Sequence, residues 1–186
     1  MNSTSASLLE RLCAEPDAAA WERFVQLYTP LLFYWTLSSG LARHDAEDLV
    51  QDVFEVLLRK LPEFQYDASK GFRNWLRTIT MNKWRDSQRR AAKRIQAKSI
   101  DDMGECDWEL PELTEQEYRQ GLTDRALQLV APEFTSTTWT AFRKTAIEGL
   151  DPAEVATELG ISRNAVYVAR SRVLGRLRKE LAGLLD

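Results

Sequence analysis

Apolar residues recur at three- and four-residue steps along almost the whole chain, with polar residues between them. Trp21, Phe24, Val25, Leu27, Tyr28, Leu31 and Leu32 make one such stripe, and Gly40 is its stop. Asp45 stands where a cap would open the next helix. Its apolar positions Leu49, Val53, Val56, Leu57 and Leu61 share one face until Pro62 ends it. A third helix runs from about Phe72, with Trp75, Leu76, Ile79 and Trp84 periodic, into a charged stretch over 85–98. Three amphipathic helices of this kind can close one small core. Residues 118–130 and 137–147 also read as helical, two more helical segments reach the C-terminus, and no strand alternation competes. The pattern predicts an all-α chain.

Between these helical runs, residues 99–117 carry Asp101, Asp102, Glu105, Asp107, Glu109, Glu112, Glu115 and Glu117 around Gly104 and Pro111. Such density of like charge resists packing and reads as a linker, the alternative being an acidic loop without a task. The expected organisation is therefore two small helical domains, 1–98 and 118–186, joined by an acidic linker over 99–117.

The C-terminal domain has the grammar of a helix-turn-helix. Asp151 before Pro152 is a capped start with proline in the first turn, Gly160 permits a sharp turn, and Ser162 caps a second helix. Ala156 is small where two helices must cross, and Ile161 with Val166 would plug the angle between them. The second helix carries Arg163, Asn164, Tyr167, Arg170, Ser171, Arg172, Arg176, Arg178 and Lys179, groups suited to a major groove and its phosphates. Val166, Ala169, Val173 and Leu177 form its inward stripe. A purely structural hairpin would show the same stripe; the run Glu154, Ala156, Leu159, Gly160, Ile161, Ser162 with its basic continuation favours DNA binding.

Charge changes the picture at one other place. The net charge of −3 over 186 residues argues against a generic nucleic-acid binder, yet residues 71–98 hold nine Lys or Arg and one acid, with Phe72, Trp75 and Trp84 among them. Cations neutralise phosphates and rings stack on unpaired bases, although an amphipathic helix with a solvated basic face has the same composition. Trp75, Leu76 and Ile79 share the helical stripe and read as core, whereas Trp84 fits either side.

At 44% hydrophobic the chain can bury a real core. Cys13 and Cys106 are isolated thiols that read as inert, and His44 is the one histidine, so neither a disulfide framework nor a metal site is expected, and no cofactor. The basic segment lacks the clustered carboxylates or histidines that catalysis on nucleic acid needs. No signal-peptide pattern or long apolar run occurs, which predicts a cytoplasmic protein without membrane insertion.

Two nucleic-acid surfaces on separate helical domains, with an acidic linker between, make the chain similar to bacterial extracytoplasmic-function (ECF) RNA polymerase sigma factors. Asp45-Ala46-Glu47-Asp48-Leu49-Val50-Gln51-Asp52-Val53-Phe54 resembles the helix with which that family binds the polymerase clamp. Gly71-Phe72-Arg73-Asn74-Trp75-Leu76, continuing through Asn82, Asp86, Arg89 and Arg90, resembles its promoter-melting segment. The resemblance runs from about residue 18 to 185, and its strength lies in the order and spacing of three motifs.

The resemblance implies roles. Asp48, Gln51, Asp52 and Glu55 would meet the basic clamp helices of the largest subunit of core RNA polymerase, with the flap of the second largest as a further contact. Phe64, Phe72, Asn74, Asn82, Lys83, Asp86, Arg89 and Arg90 would face the minus-ten element, an extruded base lodging under the loop between Phe64 and Phe72. Arg163, Asn164, Tyr167, Ser171, Arg172 and Arg176 would contact the minus-thirty-five duplex. There the wording departs from the family's usual Val-x-Ser-Arg followed by Arg-Ala-Arg: the chain has Val166-Tyr167-Val168-Ala169-Arg170-Ser171-Arg172-Val173-Leu174. Arg172 keeps its place, while the basic group expected at Ala169 reappears at Arg170, so the promoter sequence does not carry over from relatives. The linker would thread toward the basic cleft of the polymerase, and an anti-sigma factor is a common partner of the family.

The expected function is a non-enzymatic sigma factor that binds core RNA polymerase, recognises both promoter elements, duplex and melted, and helps to open one. The rival from another class is a conventional helix-turn-helix regulator, which would footprint a palindromic duplex without polymerase.

Overall fold

In the computed structural model, residues 7–14, 17–64, 71–96 and 114–185 are described, with side chains to residue 92 in the third stretch. Their elements are all helical: α1 Leu8–Ala14, α2 Ala18–Ser38, α3 Arg43–Lys60, α4 Gly71–Gln96, α5 Glu115–Val130, α6 Ser136–Phe142, α7 Pro152–Leu159 and α8 Arg163–Leu181. The chain forms two compact units, one from Leu9–Leu122 with Gly183–Asp186, the other from Thr123–Ala182 with Met1–Leu8.

In the first unit α3 packs on both α2 and α4. Asp17 opens α2 by accepting from the Ala20 N–H at 3.0 Å, and Arg11 holds the same carboxylate from α1. From the stripes read in the sequence, Phe24, Leu27, Tyr28 and Leu32 of α2, Leu49, Val53 and Leu57 of α3, and Leu76 and Ile79 of α4 are buried in the core, where Trp35 joins them, while Trp75, also expected there, is half-buried. Phe72 is its aromatic hub, with ring centroids 5.9 Å from Phe24, 5.7 Å from Tyr28, and 5.5 Å from both Phe64 and Trp75. Trp84 is also buried. Asp45 does not cap α3, which starts at Arg43 after Ala42 with no side-chain cap; Asp45 lies in the first turn, where an acid suits the positive end of the helix dipole.

The acidic stretch gives way to helix earlier than its charge suggests. Thr114 and Glu117 form a capping box: Thr114 Oγ1 accepts from the Glu117 N–H at 3.2 Å, while Glu117 Oε2 accepts from the Thr114 N–H at 2.8 Å. Hydrogen bonding from the Thr114 backbone, then from its hydroxyl, holds the Glu117 carboxyl below its ordinary range. Glu115 and Glu117, expected in the linker, are therefore first-turn residues of α5. Glu115 also accepts from Arg73 at 2.7 Å, and the Arg73 guanidinium lies 4.9 Å from the Tyr118 ring centre. Residues 99–113 of the expected linker, with Cys106, lie outside the described residues.

In the second unit α6, α7 and α8 pack on one another around Ala141, Val155, Ala156, Val166 and Ala169, with Leu159 and Ile161 against that core. The helical run expected over 137–147 divides: regular α-helix ends at Phe142 and a π-helical stretch, Arg143–Ile147, follows. The helix-turn-helix is built as its sequence reads. Asp151 accepts from the Ala153 N–H at 2.7 Å, Gly160 takes φ 63°, and Ser162 accepts from the Ala165 N–H at 3.1 Å. At φ 63° a residue with a Cβ would be strained, so glycine is what lets the chain turn there.

Candidate functional site

Two exposed faces in the first unit lie on adjacent helices. On α3 the buried stripe turns Asp48, Gln51 and Glu55 outward at spacings of three and four. Asp52 is half-buried and looks toward α4, its Oδ2 3.8 Å from Lys83 Nζ and 3.5 Å from Arg90 Nη2. Thus an acid of the expected polymerase-binding set and two cations of the expected minus-ten set form one ionic cluster.

On α4 the residues opposite the apolar stripe form a groove of about 410 Å³, lined by Asn74, Arg77, Thr78, Met81, Asn82 and Arg85. Its charged lining groups are both cationic and its amides and hydroxyl offer donors and acceptors, a chemistry that fits phosphates and base edges. Asn74 and Asn82 were expected to face DNA and are exposed, as are Asp86, Arg89 and Arg90 farther along the helix. Arg77, Thr78, Met81 and Arg85 were not expected there. Their spacing from Asn74 by three, four, seven and eleven residues is a signal that could have placed them on that face.

Two expected DNA contacts are corrected. Phe72 is fully buried at the hub of the ring cluster, so its ring cannot stack on a base; it lies on the same stripe as Leu76 and Ile79. Phe64 is half-buried, its ring centroid 4.5 Å from that of Trp75, and keeps part of its surface near the start of α4. Arg176 is held within its own unit, donating to Glu133 from Nε at 2.7 Å and from Nη2 at 3.0 Å, and to the buried Glu180 from Nη1. Burial opposes its charge, but the hydrogen bonds to Glu133 and Glu180 outweigh that and raise its pKa above the ordinary value.

On α8, Arg163, Asn164, Tyr167, Ser171 and Arg172 are exposed, together with Val168 and Arg170. Arg163 Nη2 donates to Tyr167 Oη at 3.1 Å with its guanidinium 5.7 Å from the ring centre, so the first turns of the helix carry a pre-formed cation–ring pair. Val166, Ala169, Val173 and Leu177 are buried on the opposite side. Among the described residues no helix is long and apolar enough to cross a membrane.

Among the described residues the chain is all-helical, with a helix-turn-helix in one unit and a cationic groove on α4 in the other. Residues 24–94 match the family model for Sigma-70 region 2. The chain is 32% identical to the RNA polymerase sigma factor NccH of Alcaligenes xylosoxydans, over 96% of this chain and 93% of that one. It is 30% identical to the sigma factor CnrH of Cupriavidus metallidurans over 100% and 97% of the two chains. To the ECF sigma factor SigE of Mycolicibacterium smegmatis it is 30% identical over 91% of this chain and 65% of that one. The solved structure of CnrH in complex with the cytosolic domain of CnrY aligns over 91% of this chain and 92% of that chain, at 25% identity and TM-score 0.38. The chain belongs to the ECF RNA polymerase sigma factors, and its role lies in transcription initiation.

Proposed function

We propose that this sigma factor docks on the clamp helices of core RNA polymerase through Asp48, Gln51, Asp52 and Glu55, and engages the minus-ten element along α4. The observation that carries the reading is the α4 groove with its cationic and amide lining, on a helix that packs against α3. A strand leaving the duplex at this place meets Asn74, Asn82 and Arg85 for its bases and phosphates, with Lys83, Arg89 and Arg90 adding positive charge. Unstacking a base costs a few kcal/mol, which stacking and phosphate contacts in such a groove can offset. The exposed part of Phe64 stands at the side of α4 where an extruded base would be held. The helix-turn-helix then holds the minus-thirty-five duplex through Arg163, Asn164, Tyr167, Ser171 and Arg172.

In this reading the unit that carries α2, α3 and α4 binds polymerase and opens the promoter, residues 99–113 belong to the connector that follows the basic cleft of the polymerase, and the unit that carries α6, α7 and α8 binds duplex DNA and approaches the flap. The protein performs no chemistry of its own. An anti-sigma factor is the regulator that its kinship to CnrH suggests, since CnrH has been solved with CnrY.

The test is transcription by core polymerase with and without the chain on a genomic promoter library. Specific transcripts on addition support the reading; their absence, together with tight binding of the chain alone to palindromic duplexes, favours a conventional regulator. Gln51→Lys and Asp52→Lys should abolish binding to core polymerase while circular dichroism stays unchanged.

A further inference from the structure

We propose that Val168 is the residue through which α8 senses the 5-methyl group of a thymine in duplex DNA. The inference rests on the reading of α8 as the helix that enters the major groove and names one base feature that it recognises there.

Asn164, Val168, Ser171 and Arg172 follow one another at spacings of four, seven and eight from the first, which puts them on one side of α8. The opposite side carries the buried stripe of Val166, Ala169, Val173 and Leu177. Val168 therefore has no place in the core, and its side chain is left in solvent at 38% exposure. Helix stability does not account for it either, because a β-branched residue is a poorer helix former than the alanine or lysine an exposed position accepts.

Its neighbours narrow what it can meet. Exposed Arg172 lies one turn on from Val168 on this side of the helix, and exposed Arg163 and Arg170 add positive charge on another flank of α8, so the partner it suits is a polyanion. Tyr167 is committed to Arg163 through its hydroxyl and its ring. Asn164 and Ser171 can pair with hydrogen-bonding base edges, but Val168 offers only two methyl groups. In the major groove of B-DNA the apolar feature on a base-pair edge is the thymine C5-methyl. Val168 also lies in the second turn after the Ser162 cap, within the N-terminal part of the helix that such motifs bring to base edges.

The experiment uses the full chain bound to core polymerase, on duplexes enriched from a pool with a randomised upstream element. Each thymine of the enriched element is replaced in turn by deoxyuridine, which removes only the methyl group. With the native chain one replacement weakens binding about fourfold, the factor for one buried methyl group. With Val168→Ser the same replacement has no effect, and Val168→Ala, which keeps helix propensity, behaves alike. Indifference of the native chain to every deoxyuridine, or an undiminished methyl effect in both variants, overturns the assignment. Failure of the pool to enrich any upstream sequence overturns the reading of α8 itself, and the assignment with it.

Discussion

Tyr28 Oη lies 3.1 Å from Tyr118 Oη across 90 residues of sequence, and Tyr118 Oη donates to the Leu184 carbonyl at 2.8 Å. Each hydroxyl has one proton, so with that of Tyr118 on Leu184 the bond between the rings is donated by Tyr28. Both rings are fully buried, and the relay ties α2, the start of α5 and the C-terminal residues into one unit. Tyr118→Phe strands the Tyr28 hydroxyl and the Leu184 carbonyl together, at about 1–3 kcal/mol each. Tyr28→Phe leaves the Tyr118 proton bonded and should cost about 1 kcal/mol. Urea unfolding of the two variants should rank in that order.

The same burial makes the fold sensitive to alkali at Tyr28. Desolvation, and next the neighbouring Tyr118, push the Tyr28 pKa well above its ordinary value of 10.0. A raised folded-state pKa contributes stability that is complete below the unfolded value near 10 and is lost as pH rises beyond it. Absorbance at 295 nm should show Tyr28 ionising only together with the loss of helix signal.

Arg176 makes a prediction opposite to its expected role at DNA. Glu180 is 2% exposed, and Arg176 bridges it to Glu133. Arg176→Gln leaves a buried carboxylate short of its countercharge. Breaking a fully buried pair costs about 3–5 kcal/mol, and the partial exposure of the Arg176 side chain lowers that to roughly 2–3 kcal/mol. Thermal unfolding should therefore fall sharply in Arg176→Gln and recover when Glu180→Leu is added, an order that loss of a phosphate contact would not produce.

What the sequence made legible was local. Caps such as Asp151 and Ser162 declare themselves within three residues, and the apolar stripes of α2, α3 and α4 need only their own spacing. Phe72 was readable by the same rule, since it precedes Leu76 by four and Ile79 by seven, but its place at the head of a basic segment drew it to the DNA side. The Thr114–Glu117 capping box was also local and was hidden by the acidic run before it. By contrast, Glu133 lies 43 residues from Arg176 and Leu184 66 residues from Tyr118, and no helical period reports pairings of that length. The α4 groove falls between the two cases: its residues obey the period, but a polar face becomes a groove only through how the helix is packed.

Two glycines eight positions apart should respond to alanine with opposite sign. Gly175 lies inside α8, where a Cβ would meet nothing within 4 Å, so the fold places no steric demand on it. Gly175→Ala reduces the freedom of the unfolded chain and should stabilise the protein by about 0.5–1 kcal/mol, raising the melting temperature by roughly 2–4 °C. Gly183 holds φ +77°, and a Cβ there would come 3.0 Å from Leu9 Cδ2. Left-handed backbone disfavours any other residue, and the contact with α1 adds to the strain, so Gly183→Ala should cost about 1–3 kcal/mol. Differential scanning calorimetry of the two variants checks both signs; a gain in stability for Gly183→Ala would show that the turn into the C-terminal residues does not need its glycine.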